Sequence, residues 1–428
     1  MSKSIKSGLT RRGVLKGAGA IAGAAVGARA ITGFPYVHAQ EKVTLRYLGT
    51  AVNQSAEIAK KCLEDTGITL EYIPVTTDDV SRRVITQPNS FDVVDTEYFS
   101  LKKLIPSGNL LGMDATKIKN ADKITPIFTE GKLEDGKVIG DQGTAPKKVF
   151  WLEGAESTEF ATEPSGYISL IPTVYNADTL GIRPDLIGKP IESWTSLLDP
   201  EFKGKASILN IPSIGIMDAA MVVEAMGEHK YGDKGNMTKE EIDLTMKVLT
   251  EAKKSGQFRA FWKDFNESVN LMASGEVVIQ SMWSPAVTAV KSKGIPCVYQ
   301  PLKEGYRAWA AGFGLPKTVS GKTADAAYEF INWFLDGWAG AYLNRQGYYS
   351  AVLETAKANM EPYEWAFWME GKAAEQDIKG PDGSILGKTG ETRDGGSFQD
   401  RMGAVACWNA VMDENDYMVR KWNQFIAA

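Results

Sequence analysis

Residues 43–75 read as strand, helix, strand, and no other stretch constrains the fold as tightly. "VTLRYLG" is a strand-like run and "ITLEYIPV" a second one. Between them "SAEIAKKCLEDTG" sets Ile58, Cys62 and Leu63 on one helical face, charges on the other and Gly67 as the stop. This order implies a parallel sheet covered by helices. "FDVVDTEYF" follows as a short buried strand. Ligands of such sheets sit beyond the C-terminal ends of the strands. Gly49 and Thr50, after the first strand, and Thr96, Glu97 and Tyr98, after the third, are therefore expected on one rim. At 428 residues the chain is too long for one ordinary core and calls for two domains or lobes.

Further along, "GYISLIPTVYNADTLG" reads as a buried strand with turn chemistry after it, and "SWTSLLDPEFKGKASILNIPS" as a short helix, a loop and a strand. "TKEEIDLTMKVLTEAKKSG" is a helix opened by a capping box of Thr238 and Glu241, striped by Ile242, Met246 and Leu249, and ended by Gly256. "FNESVNLMASGEVVIQSMW" gives a helix and then a strand that delivers Trp283 at its end. "TADAAYEFINWFLDGW" is an amphipathic helix with Ala327, Phe330, Ile331, Phe334 and Trp338 on its buried face. Residues 379–397 are Gly-rich and polar, a loop or lid.

The first 39 residues are set apart from the fold. Arg11 and Arg12 precede an apolar Gly/Ala-rich stretch and a small-residue cleavage site after Ala39. The pair resembles the twin-arginine export signal, which places the product in the periplasm. Removing Lys3, Lys6, Arg11, Arg12, Lys16 and Arg29 from the 48 basic residues leaves 42 against 53 acidic ones, a net charge of about −11. That balance argues against a nucleic-acid partner. No later run approaches 18 apolar residues, so no membrane span is expected.

Chemistry-bearing residues are sparse. Cys62, Cys297 and Cys407 lack metal-type spacing, and a Cys297–Cys407 bridge is left open. Beyond the leader the single histidine, His229, falls in the polar run "GEHKYGDKG" and reads as solvated. With no Ser-His-Asp triad, Cys-His pair or histidine metal cluster to build, the expectation is a protein without catalytic groups or cofactor.

In order along the chain, "VTLRYLGTA", "GITLEYIP", "FDVVDTEYF", "ISLIPTVYNADTLG", "SWTSLLDPEFKGKASIL", "ASGEVVIQSMWSPAV" and "AWAAGFGLPKTVSGKTADAAYEFINWFL…RQGYYSAV" resemble the periplasmic substrate-binding proteins of ABC importers, specifically the spermidine/putrescine group. The resemblance runs from about residue 43 to 355. It implies a type II, two-lobe α/β fold with the ligand in the cleft. One lobe would hold residues 40–170 and about 310–350, the other residues 171–309 and about 351–428. It implies a monomer that hands a small solute to an inner-membrane ABC permease, with lobe closure on the ligand as the signal.

Carried over residue by residue, the resemblance gives a mixed site. Trp283 and Trp309 match two ring positions, Tyr98 a tyrosine after the third strand with Thr96 beside it, and Thr50 a first-strand threonine. Gly49 stands where polyamine binders have an aromatic and Ala51 where they have an acid. Ala311 replaces the aspartate that anchors the amine two residues after the Trp. A buried ammonium without a paired charge costs several kcal/mol, whereas a desolvated cation–π contact returns about 2 kcal/mol. Three ligand types resolve the deficit. A quaternary ammonium has no N–H to satisfy. A zwitterion could set its carboxylate on Arg307 and its amine on Asp218 or Glu97. A diamine would need an acid placed elsewhere. Two rivals remain: a ferric-ion binder using Tyr348 and Tyr349, and an exported enzyme with a bulky cofactor.

Overall fold

The computed structural model describes residues 43–428; the leader expected over residues 1–39 lies outside them. Strand β1 (Thr44–Gly49), helix α1 (Ala56–Thr66), β2 (Thr69–Pro74) and β3 (Val93–Glu97) form the unit read at the start of the chain, with β1 parallel to both β2 and β3. The Ser55 hydroxyl accepts the Ile58 N–H at the start of α1. Gly67, at φ 75°, ends it in the left-handed conformation that costs glycine nothing.

The chain then runs through β4 (Ile171–Ile182), β5 (Ala206–Leu209), α2 (Pro212–Ala225), β6 (Phe258–Trp262), β7 (Ile279–Met282) and β8 (Tyr306–Pro316). Helices α3 (Gly321–Leu335) and α4 (Trp338–Asn344), strand β9 (Val405–Trp408) and helix α5 (Asn415–Ala427) complete the elements that matter for the site. One sheet carries them in the order β6-β5-β7-β4-β8-β3-β1-β2. Its centre is the antiparallel pair β4–β8, two long strands that extend from one half of the molecule into the other. β4 gives its C-terminal end to β7, and β8 gives its own C-terminal half to β3.

Two apolar cores flank this pair. Leu45, Tyr47, Val93, Phe313, Phe330 and Phe334 belong to the first. Leu180, Ile208, Val222, Ile242, Leu249 and Trp422 belong to the second. Val352, Phe367, Trp368, Phe398 and Met402 also pack on the first core, because Phe398 closes on Tyr349 and Tyr175 at ring distances of 4.9 and 6.3 Å. The return to the second core comes only with β9 and α5, through Cys407, Met418, Trp422 and Phe425.

Several expectations need correcting. The sequence places a turn at "NADTLG", but β4 continues through it to Ile182, buried along its whole length. Asn176 and Asp178 can lie inside a strand because both flanks of β4 are paired. Trp338 does not extend α3: Gly337, at φ 107°, breaks the helix, and its missing side chain would lie against the Thr355 carbonyl. The loop over 379–397 begins as a hairpin of Ile378–Lys379 and Ile385–Gly387. His229 is not solvated alone but bonds Glu241 at 3.0 Å. Cys62, Cys297 and Cys407 are each buried and unbridged. Among the described residues no helix is long and apolar enough to cross a membrane.

Candidate functional site

Strand geometry assembles the site on β8. Alternate residues of a strand share a face, so Arg307, Trp309 and Ala311 project together. In antiparallel pairs, directly opposed residues project on the same side. β4 sets Asp178 opposite Arg307 and Asn176 opposite Trp309, and β3 sets Glu97 opposite Ala311. Trp283 stands one step past the Thr179–Met282 pair, beside Asp178. The half-exposed ring of Trp309 is thus flanked along the sheet by two acids, Asp178 on one side and Glu97 on the other.

Gly312 belongs to the same design: a Cβ there would lie 2.8 Å from the Ile171 carbonyl oxygen and 2.9 Å from Leu170 Cβ. Gly49 is crowded as well, since a Cβ would lie 3.0 Å from Asp95 Cβ and 3.1 Å from its carbonyl oxygen.

The charges divide into satisfied and unsatisfied groups. Arg307 is 1% exposed; its Nε donates to Asp218 at 2.7 Å and its Nη1 to Asn409 at 2.7 Å. Asp178 lies 3.4 Å from the same Nη1, in ion-pair range without a hydrogen bond. Buried Asp95 accepts from Asn53, Tyr47 and Thr173, at 2.6, 3.1 and 3.4 Å. By contrast both oxygens of Asp178, Oε2 of Glu97, Oδ2 of Asp218 and the Thr96 hydroxyl are buried without a hydrogen-bond partner. Three carboxyls therefore gather around one guanidinium.

The imbalance shows in their acidities. Burial first, then Asp218, pushes Asp178 up to about 7 against the pull of Arg307. Burial pushes Glu97 up to about 7, opposed chiefly by the Thr77 hydroxyl and Arg307 and reinforced by Asp178. Asp218 is raised by burial against two effects of Arg307, its charge and its hydrogen bond. A carboxyl raised in the folded state favours folding below its unfolded value, and that contribution is lost as pH rises through the folded one. The ligand-free protein should lose stability between about pH 4 and pH 7 on account of Glu97 and Asp178. Urea midpoints at pH 5.5 and 7.5 should therefore differ more in the wild type than in Glu97→Gln. Equal differences would count against the burial of this carboxyl.

The sequence-derived residues separate accordingly. Trp309 and Trp283 converge with Asp178 and Glu97, and Thr50 lies just past the end of β1 on the same rim, whereas Thr96, opposite Gly312, alternates with Glu97 and projects to the other face of the sheet. Tyr98 does not join them. Its hydroxyl donates to the Leu170 carbonyl at 2.6 Å and its ring packs 5.3 Å from Phe128, inside the first core. Arg307 and Asp218 are present but bound to each other, so neither matches a free anchor for a zwitterion. Tyr348 meets the Trp309 ring edge-on at 6.0 Å, whereas Tyr349 is buried between Tyr175 and Phe398. The two phenols turn into different surroundings, which removes the ligand pair of the ferric reading. Asp178 and Asn409 escape sequence analysis altogether, Asp178 because its segment carries turn residues.

A family model described as bacterial extracellular solute-binding protein matches residues 57–359. No curated protein matches the chain in sequence. Among solved structures, the spermidine/putrescine ABC transporter substrate-binding protein PotD of Streptococcus pneumoniae has a TM-score of 0.61 at 16% identity, covering 90% of this chain and 99% of its own. The Tp0655 (TpPotD) lipoprotein of Treponema pallidum has a TM-score of 0.63 at 12% identity over 89% and 99%. The binding protein AgtB of A. tumefaciens R10, solved with agropinic acid, has a TM-score of 0.57 at 15% identity over 90% and 99%. Likeness at this level establishes the shared two-lobe solute-binding fold.

Proposed function

The chain belongs to the bacterial extracellular solute-binding protein family, and from that premise we propose that it captures a polyamine-like solute and delivers it to the membrane permease of an ABC importer. The observation that carries this reading is the set of buried carboxyl oxygens without donors on both sides of Trp309. An ammonium group brings a positive charge and N–H donors, the two things these oxygens lack. Glu97 would replace the aspartate missing at Ala311, since it stands directly across the ladder from that alanine. Asp178 would take a second amine, with Trp309 and Trp283 as walls for the apolar chain between.

Quaternary ammoniums fit less well, because they offer no N–H to Glu97 or Asp178. Zwitterions fit less well because Arg307 is held by Asp218 and Asn409. Binding without chemistry is the role, and closure of the two lobes over the solute would present the loaded form to the permease. The export route by a twin-arginine leader and the monomeric state belong to the same proposal.

A thermal-shift panel of putrescine, spermidine, choline, glycine betaine and γ-aminobutyrate tests it. A ligand at about 1,000 times its dissociation constant adds about 4 kcal/mol to the folded state. Putrescine or spermidine should raise the melting temperature, with the shift largely lost in Trp309→Ala. A shift with choline or betaine alone would overturn the diamine reading.

A further inference from the structure

Behind the amine cleft lies a second, oppositely charged site. A small pocket of about 30 Å³, partly open to solvent, is lined by residues that include Ser284, Tyr299, Trp368, Arg393, Asp394 and Arg401. Arg393 and Arg401 are 5% and 1% exposed. Each uses its terminal nitrogens on neighbours: Arg393 on the carbonyls of Trp368 and Gly347, Arg401 on Asn176, Ser284 and the Asp394 carbonyl. Yet Nε of Arg393, Nε of Arg401, Nε1 of Trp368 and the hydroxyl of Tyr299 are all buried without a partner. Two of these donors are cationic, and only the hydroxyl could act as an acceptor.

The acids nearby are already engaged. Asp394 accepts from Lys291 at 2.6 Å and from the Tyr299 N–H at 3.0 Å, and Glu391 accepts from the Lys388 N–H. Neither is bonded to a guanidinium. Burial, and next the charge of Arg401, bring Arg393 down to about 10, with Tyr349, Tyr299 and Asp394 opposing.

We infer that this cage binds a small monovalent anion of halide size, held by Arg393, Arg401, Trp368 and Tyr299. The free volume sets the scale: one water needs roughly 10–15 Å³, so about 30 Å³ suits a small ion of halide size. Water alone would satisfy some donors but add no negative charge beside two guanidiniums whose neighbouring carboxylate, Asp394, is already paired with Lys291. Arg401 also holds Asn176 and Ser284, which adjoin Trp309 and Trp283, so the ion would brace the back of the amine cleft.

The test is a melting-temperature titration of the solute-free protein with sodium bromide, against sodium gluconate at matched ionic strength, paired with bromide anomalous scattering from crystals. Bromide should give a saturable rise that gluconate does not, and one anomalous peak within the cage. Arg393→Met should weaken bromide by about tenfold or more, as loss of a charged donor does, and Trp368→Phe by a few-fold. Should Arg393→Met fail to fold, Trp368→Phe carries the test. Equal rises in the two salts, a cage without bromide density, or variants that titrate like the wild type would overturn the inference.

Discussion

Glu97→Gln is expected to weaken putrescine binding by about 2–5 kcal/mol, roughly 30-fold to several thousand-fold, while leaving the ligand-free fold intact. The amide keeps the shape and still accepts from Thr77, which bonds Oε1 at 3.2 Å in the wild type. What it loses is the charge, and it turns an N–H toward the ammonium. Because burial disfavours the charged carboxyl here, the variant should be no less stable than the wild type without solute at pH 7.5. Calorimetric titration and a urea midpoint separate the two effects. Unchanged affinity would mean that Glu97 does not replace the anchor missing at Ala311.

Arg307→Met should instead destabilise the protein itself by about 3–5 kcal/mol, the usual result of removing one partner from a buried ion pair. Arg307 and Asp218 are 1% and 0% exposed at the side chain, and Asp178 shares the same guanidinium. Without it two carboxyls would be left in the middle of β4 and α2 with no cation bonded to them. Urea unfolding should show the loss at pH 7.5, with part of it recovered at pH 5.5 as the acids take up protons. Adding Asp218→Asn should restore a further share, which identifies the pair by its coupling. A loss below 1 kcal/mol would show that Arg307 is not the counter-charge of these acids.

Much of this architecture is legible in the sequence, and the exceptions have physical causes. β1, α1 and β2 follow from a terminating glycine and regular apolar spacing, both of which act locally. β4 resists such reading because Asn176, Asp178 and Gly181 carry turn signals, overridden by pairing with β7 and β8. The same override hides Asp178, whose neighbour Arg307 lies far along the chain. Arg307 and Asp218 are both visible as charges, but only folding reveals that they hold each other. Tyr98 follows its family position, yet its hydroxyl is drawn inward to Leu170. Ala311 marks the absent anchor, and the ladder supplies what no motif states: the residue across from it is Glu97.

The most direct measurement is the number of protons released when putrescine binds at pH 7, from calorimetry in buffers of different ionisation enthalpy. Glu97 and Asp178 stand near 7 in the solute-free protein, so each is about half protonated. Ammonium groups placed against them would drive those protons off, and a release of about half to one proton per putrescine is expected, diminished in Glu97→Gln. Tight binding with no proton release, or with uptake, would contradict the claim that these carboxyls hold the amines.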